Sequence, residues 1–191
     1  MTGRRAKLAL LARRLRRGES GVAAVEFALI LPIMLLVYVG TLEASILITM
    51  DRKVQSVAGA VGDLVARMEE RVTATQLQDY FRAASGIMTP YSSADVRQVV
   101  TAVAVDADGV ATVVWTRQFE DGDYSSTTPY TVGNPYPLPA EMIAIARERT
   151  VIAAEASATY TPLLGVIFEM PVDLHRSSFF MPRFGGDIAA P

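Results

Sequence analysis

Between Gly18 and Met50 the chain reads GESGVAAVEFALILPIMLLVYVGTLEASILITM, and this stretch governs how everything else can be placed. From Val22 to Leu42, 21 residues, the only charged side chain is Glu26. A helix of that length rises about 30 Å, enough to cross the hydrocarbon core of a bilayer. Seven basic residues, Arg4, Arg5, Lys7, Arg13, Arg14, Arg16 and Arg17, precede it against one acid, Glu19. Such an excess of Lys and Arg beside a first span holds that end in the cytoplasm, so the bulk of the chain is expected to be exported. A secretory signal peptide shares the basic front, but its apolar core runs about 7 to 15 residues and closes on small residues. Here the run continues through Met34, Leu35, Leu36, Val37 and Tyr38 to Leu42, which favours a retained anchor.

Glu26 is the anomaly in this segment. A carboxylate inside a lipid-facing helix costs on the order of several kcal/mol unless it is paired or close to the interface. Four residues inside the membrane edge it can snorkel to water; the other reading gives it a partner charge.

The run Gly21-Val22-Ala23-Ala24-Val25-Glu26-Phe27 sets a glycine five residues ahead of a glutamate that is followed by an aromatic, behind a basic leader and at the front of a long apolar helix. This resembles the type IV prepilin processing site. The leader RRLRRGESGVAAVEFALILPIML is similar to that of the TadE-like pseudopilins of tight-adherence (Flp-type IVb) pilus systems, and Phe27, where the major Flp pilins carry Tyr, suits a pseudopilin. A weaker match lies at Ser178-Phe179-Phe180-Met181-Pro182-Arg183, like the aromatic-x-Pro-Arg ending of these proteins. The resemblance implies recognition of Gly21, Val22, Glu26 and Phe27 by a membrane aspartyl prepilin peptidase and cleavage after Gly21. The mature chain would then begin at Val22, with Glu26 fifth. It further implies a minor pilin that takes part in pilus assembly for surface adherence, with other pilins or pseudopilins and the assembly platform as partners. In a filament, Glu26 would pair with the α-amine of a neighbouring subunit's Val22.

Part of this spacing has a physical reason independent of any family. Glycine ahead of a scissile bond lets the backbone lie extended in a protease cleft. A carboxylate one turn beyond a new amino terminus at Val22 sits at the positive end of the helix dipole.

The expected organisation is a cleaved basic leader over 1–21, a transmembrane helix over 22–50 and an exported α+β domain over 51–191. Leu8, Leu10, Leu11 and Leu15 among the arginines also give the leader a short amphipathic pattern. Val54, Val57, Ala58, Val61, Leu64, Val65, Met68 and Val72 recur at spacings of three and four, so an amphipathic helix is expected to continue the membrane helix to Val72, with a break at Gly59 and Gly62 as the alternative. A short helix is expected at 76–85, started by a capping box on Thr75 and Gln78 and stopped at Gly86. Four mainly antiparallel strands follow, at 96–105, 110–119, 150–161 and 172–181. Asp106-Ala107-Asp108-Gly109 reads as a hairpin turn rather than a calcium loop, since the further carboxylates and terminal glutamate of an EF-hand are missing. Residues 120–139, rich in Pro and Asn, read as a long surface loop, and 140–147 as a helical turn. Alanines at 153, 154, 156 and 158 are expected to let the long helix lie close on the sheet.

Several function classes are disfavoured. The chain has no cysteine, which removes disulfides and Cys-based redox or metal sites. The formal net charge of −2 hides an asymmetry, because beyond Gly21 there are 11 basic and 19 acidic residues. A part of that sign is a poor nucleic-acid binder. His175 is the single histidine, and no G-x-S-x-G, Walker A or H-E-x-x-H motif occurs, so neither catalysis, a cofactor nor a small-molecule substrate is expected. The expected location is the inner membrane, single pass, with the N-terminus cytoplasmic and the C-terminal domain periplasmic or carried into the pilus. The rival from another class is an uncleaved bitopic periplasmic adaptor or sensor.

Overall fold

A computed structural model describes residues 20–162, 165 and 169–191. The basic residues and leucines of the leader, with Gly18 and Glu19, lie outside the described residues, as does part of the connection 162–171. The first element, α1, is one helix, Ser20–Ala66, of 47 residues with Pro32 inside it. At about 1.5 Å per residue it is roughly 70 Å long. It runs unbroken through Gly59 and Gly62 but stops short of the expected Val72. The carbonyl of Ala66 accepts a hydrogen bond from the Arg183 amide at 2.9 Å, and Arg71 pairs as a β-bridge with Ala189. The chain's own distal residues thus take up the helix end, and Val72 is buried without being helical.

Helix α2 is Ala74–Ser85. Its capping box uses Thr73 and Gln76, two residues before the expected pair: the Thr73 hydroxyl accepts from the Gln76 amide at 3.2 Å, and the Thr73 amide donates to the Gln76 side chain at 3.0 Å. Leu77, Phe81 and Ala84 form its buried face, and a 3₁₀ turn at Gly86–Met88 follows. Strands β1 (Arg97–Val105), β2 (Ala111–Glu120), β3 (Asp123–Ser125), β4 (Arg149–Tyr160) and β5 (Val172–Phe180) form one sheet in the order β3-β2-β1-β4-β5, every pairing antiparallel. The four expected strands lie within a residue or two of their expected bounds. The fifth, β3, is a three-residue edge inside the segment read as loop. Asp106–Gly109 is a hairpin turn, with the Asp106 carboxylate accepting from the Val110 amide at 2.8 Å and Gly109 at φ +90°.

The sheet has two covered faces. On one, Ile152, Ala154, Ala156, Ala158 and Tyr160 of β4 alternate toward α1 and pack with Val54, Val57, Ala58, Val61 and Val65 of the helix and with α2. On the other, Val103, Val105, Ala111, Val113, Val151 and Ala153 pack under Tyr136, Leu138 and Ala146, with Ile143 of a short helix α3 (Ala140–Ile145). The register of β1 against β2 slips between Ala102 and Val103, so that Val114 is the extra residue of a bulge. One extra residue inverts the faces beyond it, and accordingly Trp115 and Val113 belong to opposite clusters. Residues 126–139 are the surface loop expected there, but Tyr136 and Leu138 within it are buried. Val113 and Ala111 exchange backbone hydrogen bonds with Gly133, Asn134 and Tyr136 at 2.8–2.9 Å, and the segment lies down over the second face.

Candidate functional site

The exposed end of α1 carries the residues singled out by the sequence. Gly21, Val22, Glu26 and Phe27 are all exposed, Val22 and Phe27 each at 59%. Val22 and Glu26 stand four residues apart on the same helical face. Gly21 is the second residue of the helix, with no atom within 4 Å of where a Cβ would sit. Val25, Leu29, Ile30, Ile33, Met34, Leu35, Leu36, Val37 and Tyr38 are exposed as well. An apolar helix surface left bare over that length is suited to hydrocarbon; one helix among the described residues is long and apolar enough to cross a membrane.

The change from bare to covered comes at Glu43, which is 2% exposed. Here the Tyr160 hydroxyl at the end of β4 donates to the Glu43 carbonyl at 3.4 Å. Burial, helped by the charges of Glu43 and Tyr91, raises the Tyr160 pKa. Ile46, Leu47 and Met50 then pack on the domain core. Further along, the Arg176 guanidinium donates to Asp51 at 2.7 Å, and the Lys53 ammonium donates to the carbonyls of Ile87 and Thr89, each at 2.8 Å.

At the distal end the helix is clasped by the Phe180-Met181-Pro182-Arg183 motif. Gly62 seats the Phe180 ring, and a Cβ there would meet Phe180 at 2.5 Å and the Ala154 Cβ at 2.9 Å. Arg183 and Arg67 both donate to the Asp63 carboxylate, and these hydrogen bonds, Arg67's first, outweigh partial burial and hold Asp63 below the usual carboxylate range. The segment after Arg183 closes the same end: Ile188 is buried, and its carbonyl accepts from the Trp115 indole at 2.7 Å. The alanines of β4 and Gly62 thus make the close approach that their small size permits.

A separate polar group lies on the opposite face of the sheet. Glu155, 8% exposed, accepts from the hydroxyls of Tyr130, at 2.7 Å, and Tyr136, while its other oxygen is 3.1 Å from His175 Nε2. Burial and then the Glu155 hydrogen bond push Tyr130 up to about 12 and Tyr136 further still. These phenols stay protonated donors and pin the 130–138 segment to β4. His175 therefore belongs to a structural tie, with no nucleophile hydrogen-bonded to it among the described residues. Sequence reasoning missed Glu155, whose only signal is an acid among the alanines of a buried strand.

The structure defines an α+β protein in which one helix is both a bilayer-length apolar segment and the packing partner of a five-stranded sheet. The family model described as TadE-like protein matches residues 21–62. It begins on Gly21 and ends on Gly62, the glycine beneath Phe180. No curated protein and no solved structure matches the chain. The match covers the long helix and not the sheet domain, so it is the helix that is similar to that family.

Proposed function

We propose that this chain is a TadE-like pseudopilin that anchors in the inner membrane and takes part in assembling a Flp/Tad-type pilus. The observation that carries this reading is the single helix matched at 21–62, bare up to Tyr38 and clamped to a folded domain from Glu43 onward. Residues 1–21 form the cytoplasmic leader and 22–50 the membrane segment, with the last two turns of that segment packed on the periplasmic domain, 51–191. A prepilin peptidase cuts after Gly21. The new amine at Val22 then stands one turn from Glu26, and the bare apolar surface of α1 is offered first to lipid and then to other pilin-like subunits. Because α1 is continuous, any force or register set on the anchor passes directly into the sheet domain.

The test is Gly21→Leu in cells that carry the peptidase. Wild-type protein should run on an immunoblot as a species shorter by the 21-residue leader, with Val22 as the first residue on N-terminal sequencing. The variant should accumulate at full length. A variant shortened as efficiently as wild type would overturn the assignment, and Gly18→Leu, whose register offers no matching glutamate, should be processed normally.

A further inference from the structure

A cavity of about 350 Å³ lies between α1 and the end of β4, beside the bond from the Tyr160 hydroxyl to the Glu43 carbonyl. Ile46 and Met50 of α1 are its aliphatic members, Tyr91 and Tyr160 its aromatic ones, and Asp95 and Thr161 are polar. The walls are held in place. The Lys53 ammonium grips the carbonyls of Ile87 and Thr89, and the Tyr91 amide donates to the Met88 carbonyl at 2.8 Å, so the segment that carries Tyr91 is tied to α1. Asp95 is exposed, and its carboxylate has no hydrogen-bond or ion-pair partner among the described residues. The hydroxyl of Ser92, which also borders the cavity, accepts from the Ala94 amide at 3.1 Å and keeps its own proton to donate. Ile46 stands one turn beyond Leu42, the last residue of the charge-poor apolar run, so the cavity lies at the level where that run ends.

We propose that this cavity binds the headgroup and upper acyl chain of one aminophospholipid, with the ammonium set between Asp95 and the tyrosines. This rests on the reading of α1 as a bilayer span, which puts the cavity in the headgroup layer, where tyrosine is enriched. The volume falls in the range of small-ligand sites, about 300–1,000 Å³. Charge selects the ligand. Among the described residues the one ionised group lining the cavity is the Asp95 carboxylate, and tyrosine rings attract a cation to their negative faces. A headgroup that is anionic and lacks an amine would meet Asp95 with like charge. The phosphodiester of the aminophospholipid takes donors from Ser92 and Thr161, and its acyl chain runs along Ile46 and Met50 onto the surface that α1 already gives to lipid.

The experiment uses the full chain in a maltoside detergent, equilibrated with phosphatidylethanolamine or with phosphatidylglycerol of the same acyl chains and read by native mass spectrometry. One phosphatidylethanolamine should stay bound under conditions that strip phosphatidylglycerol. Asp95→Asn should weaken that retention by about 2- to 5-fold, and Tyr91→Leu, which keeps an apolar wall, by about 2- to 30-fold. Asp108→Asn, in the hairpin turn at the other end of the sheet, should leave it unchanged. Soluble phosphoethanolamine should not displace the lipid, since it has no chain for Ile46 and Met50. Equal retention of the two lipids, or retention untouched by Asp95→Asn and Tyr91→Leu, would reduce the bound lipid to the film around α1 and overturn the site. Displacement by phosphoethanolamine would give the cavity to a soluble amine and overturn the lipid. Flotation of the same protein with vesicles tests the span separately: a chain that floats without selecting phosphatidylethanolamine keeps its anchor and loses the cavity site, and a chain that does not float loses both.

Discussion

Gly62 has neighbours that forbid any side chain: a methyl group there would stand 2.5 Å from the Phe180 ring and 2.9 Å from Ala154. Gly59, one turn earlier, has only the Ser178 hydroxyl at 3.9 Å. The two glycines therefore respond oppositely to alanine. Gly62→Ala should destabilise by up to about 2 kcal/mol, since overpacking costs about 1–3 kcal/mol and helix propensity returns about 1. Gly59→Ala should stabilise by up to about 1 kcal/mol through propensity alone. Urea unfolding of the detergent-solubilised protein, followed by Trp115 emission, separates the two. Asp63 gives a second test. Its pKa is depressed in the folded state by Arg67 and Arg183, so its contribution is fully present above the unfolded value and is lost as pH falls through the lower, folded one. Melting temperature should drop as the pH is taken down through and below the ordinary aspartate range, near 3.9, and Asp63→Asn should lower the neutral plateau while flattening that acid limb. Equal acid sensitivity in the two proteins would remove Asp63 from the account. The Asp63–Arg183 pair was not legible in advance, because the two residues are 120 positions apart.

At the scale of the elements, periodicity carried the reading a long way. Three- and four-residue spacing places Val54, Val57, Ala58, Val61 and Val65 on the face that is buried, and β-branched runs mark four strands to within a residue or two. What periodicity does not carry is a partner distant in sequence. Met68 and Val72 keep the helical period, yet α1 ends at Ala66, where Arg183 and Ala189 capture the backbone. The bulge at Val114 escapes notice for a related reason: period-two alternation in β2 breaks without any proline or glycine to announce it. Tyr136 and Leu138 sit in a proline-rich stretch whose composition says turn, and only the sheet face made by β1, β2 and β4 gives them a reason to be buried. The helix start at Thr73 was open to error of another kind, since Thr73–Gln76 and Thr75–Gln78 have identical spacing and the choice rests on which register buries Leu77, Phe81 and Ala84. Thr73→Ala should accordingly cost about 0.5–2 kcal/mol, and Thr75→Ala, inside the first turn, much less. Denaturant midpoints of the two variants decide it, and a larger loss at Thr75 would contradict the observed cap.

For the molecule as a whole, a bare half-helix is joined without a hinge to a half-helix clamped on the sheet domain, a form that suits the subunit proposed above. Glu26 is the residue whose presence makes least sense for an isolated chain. It is exposed on the segment meant for hydrocarbon, and replacing it by an uncharged group should ease insertion by about 2 kcal/mol if it lies near mid-bilayer. Among the described residues nothing in the domain covers it to account for that cost, and the first of them in α1 to be buried is Glu43, seventeen positions on. Under the processing reading the amine of Val22 lies one turn away in the same subunit and is equally available to a neighbour's Glu26. Glu26→Gln keeps the shape and removes the charge, so the protein should still be cleaved, inserted and as resistant to urea as wild type. Surface piliation and co-purification with other pilin-like subunits should nevertheless fall to background. Normal pili with Glu26→Gln would reduce the carboxylate to an interfacial side chain. A protein that disappears would instead assign Glu26 to folding, with pulse-chase decay against wild type distinguishing that outcome from an assembly defect in a stable subunit.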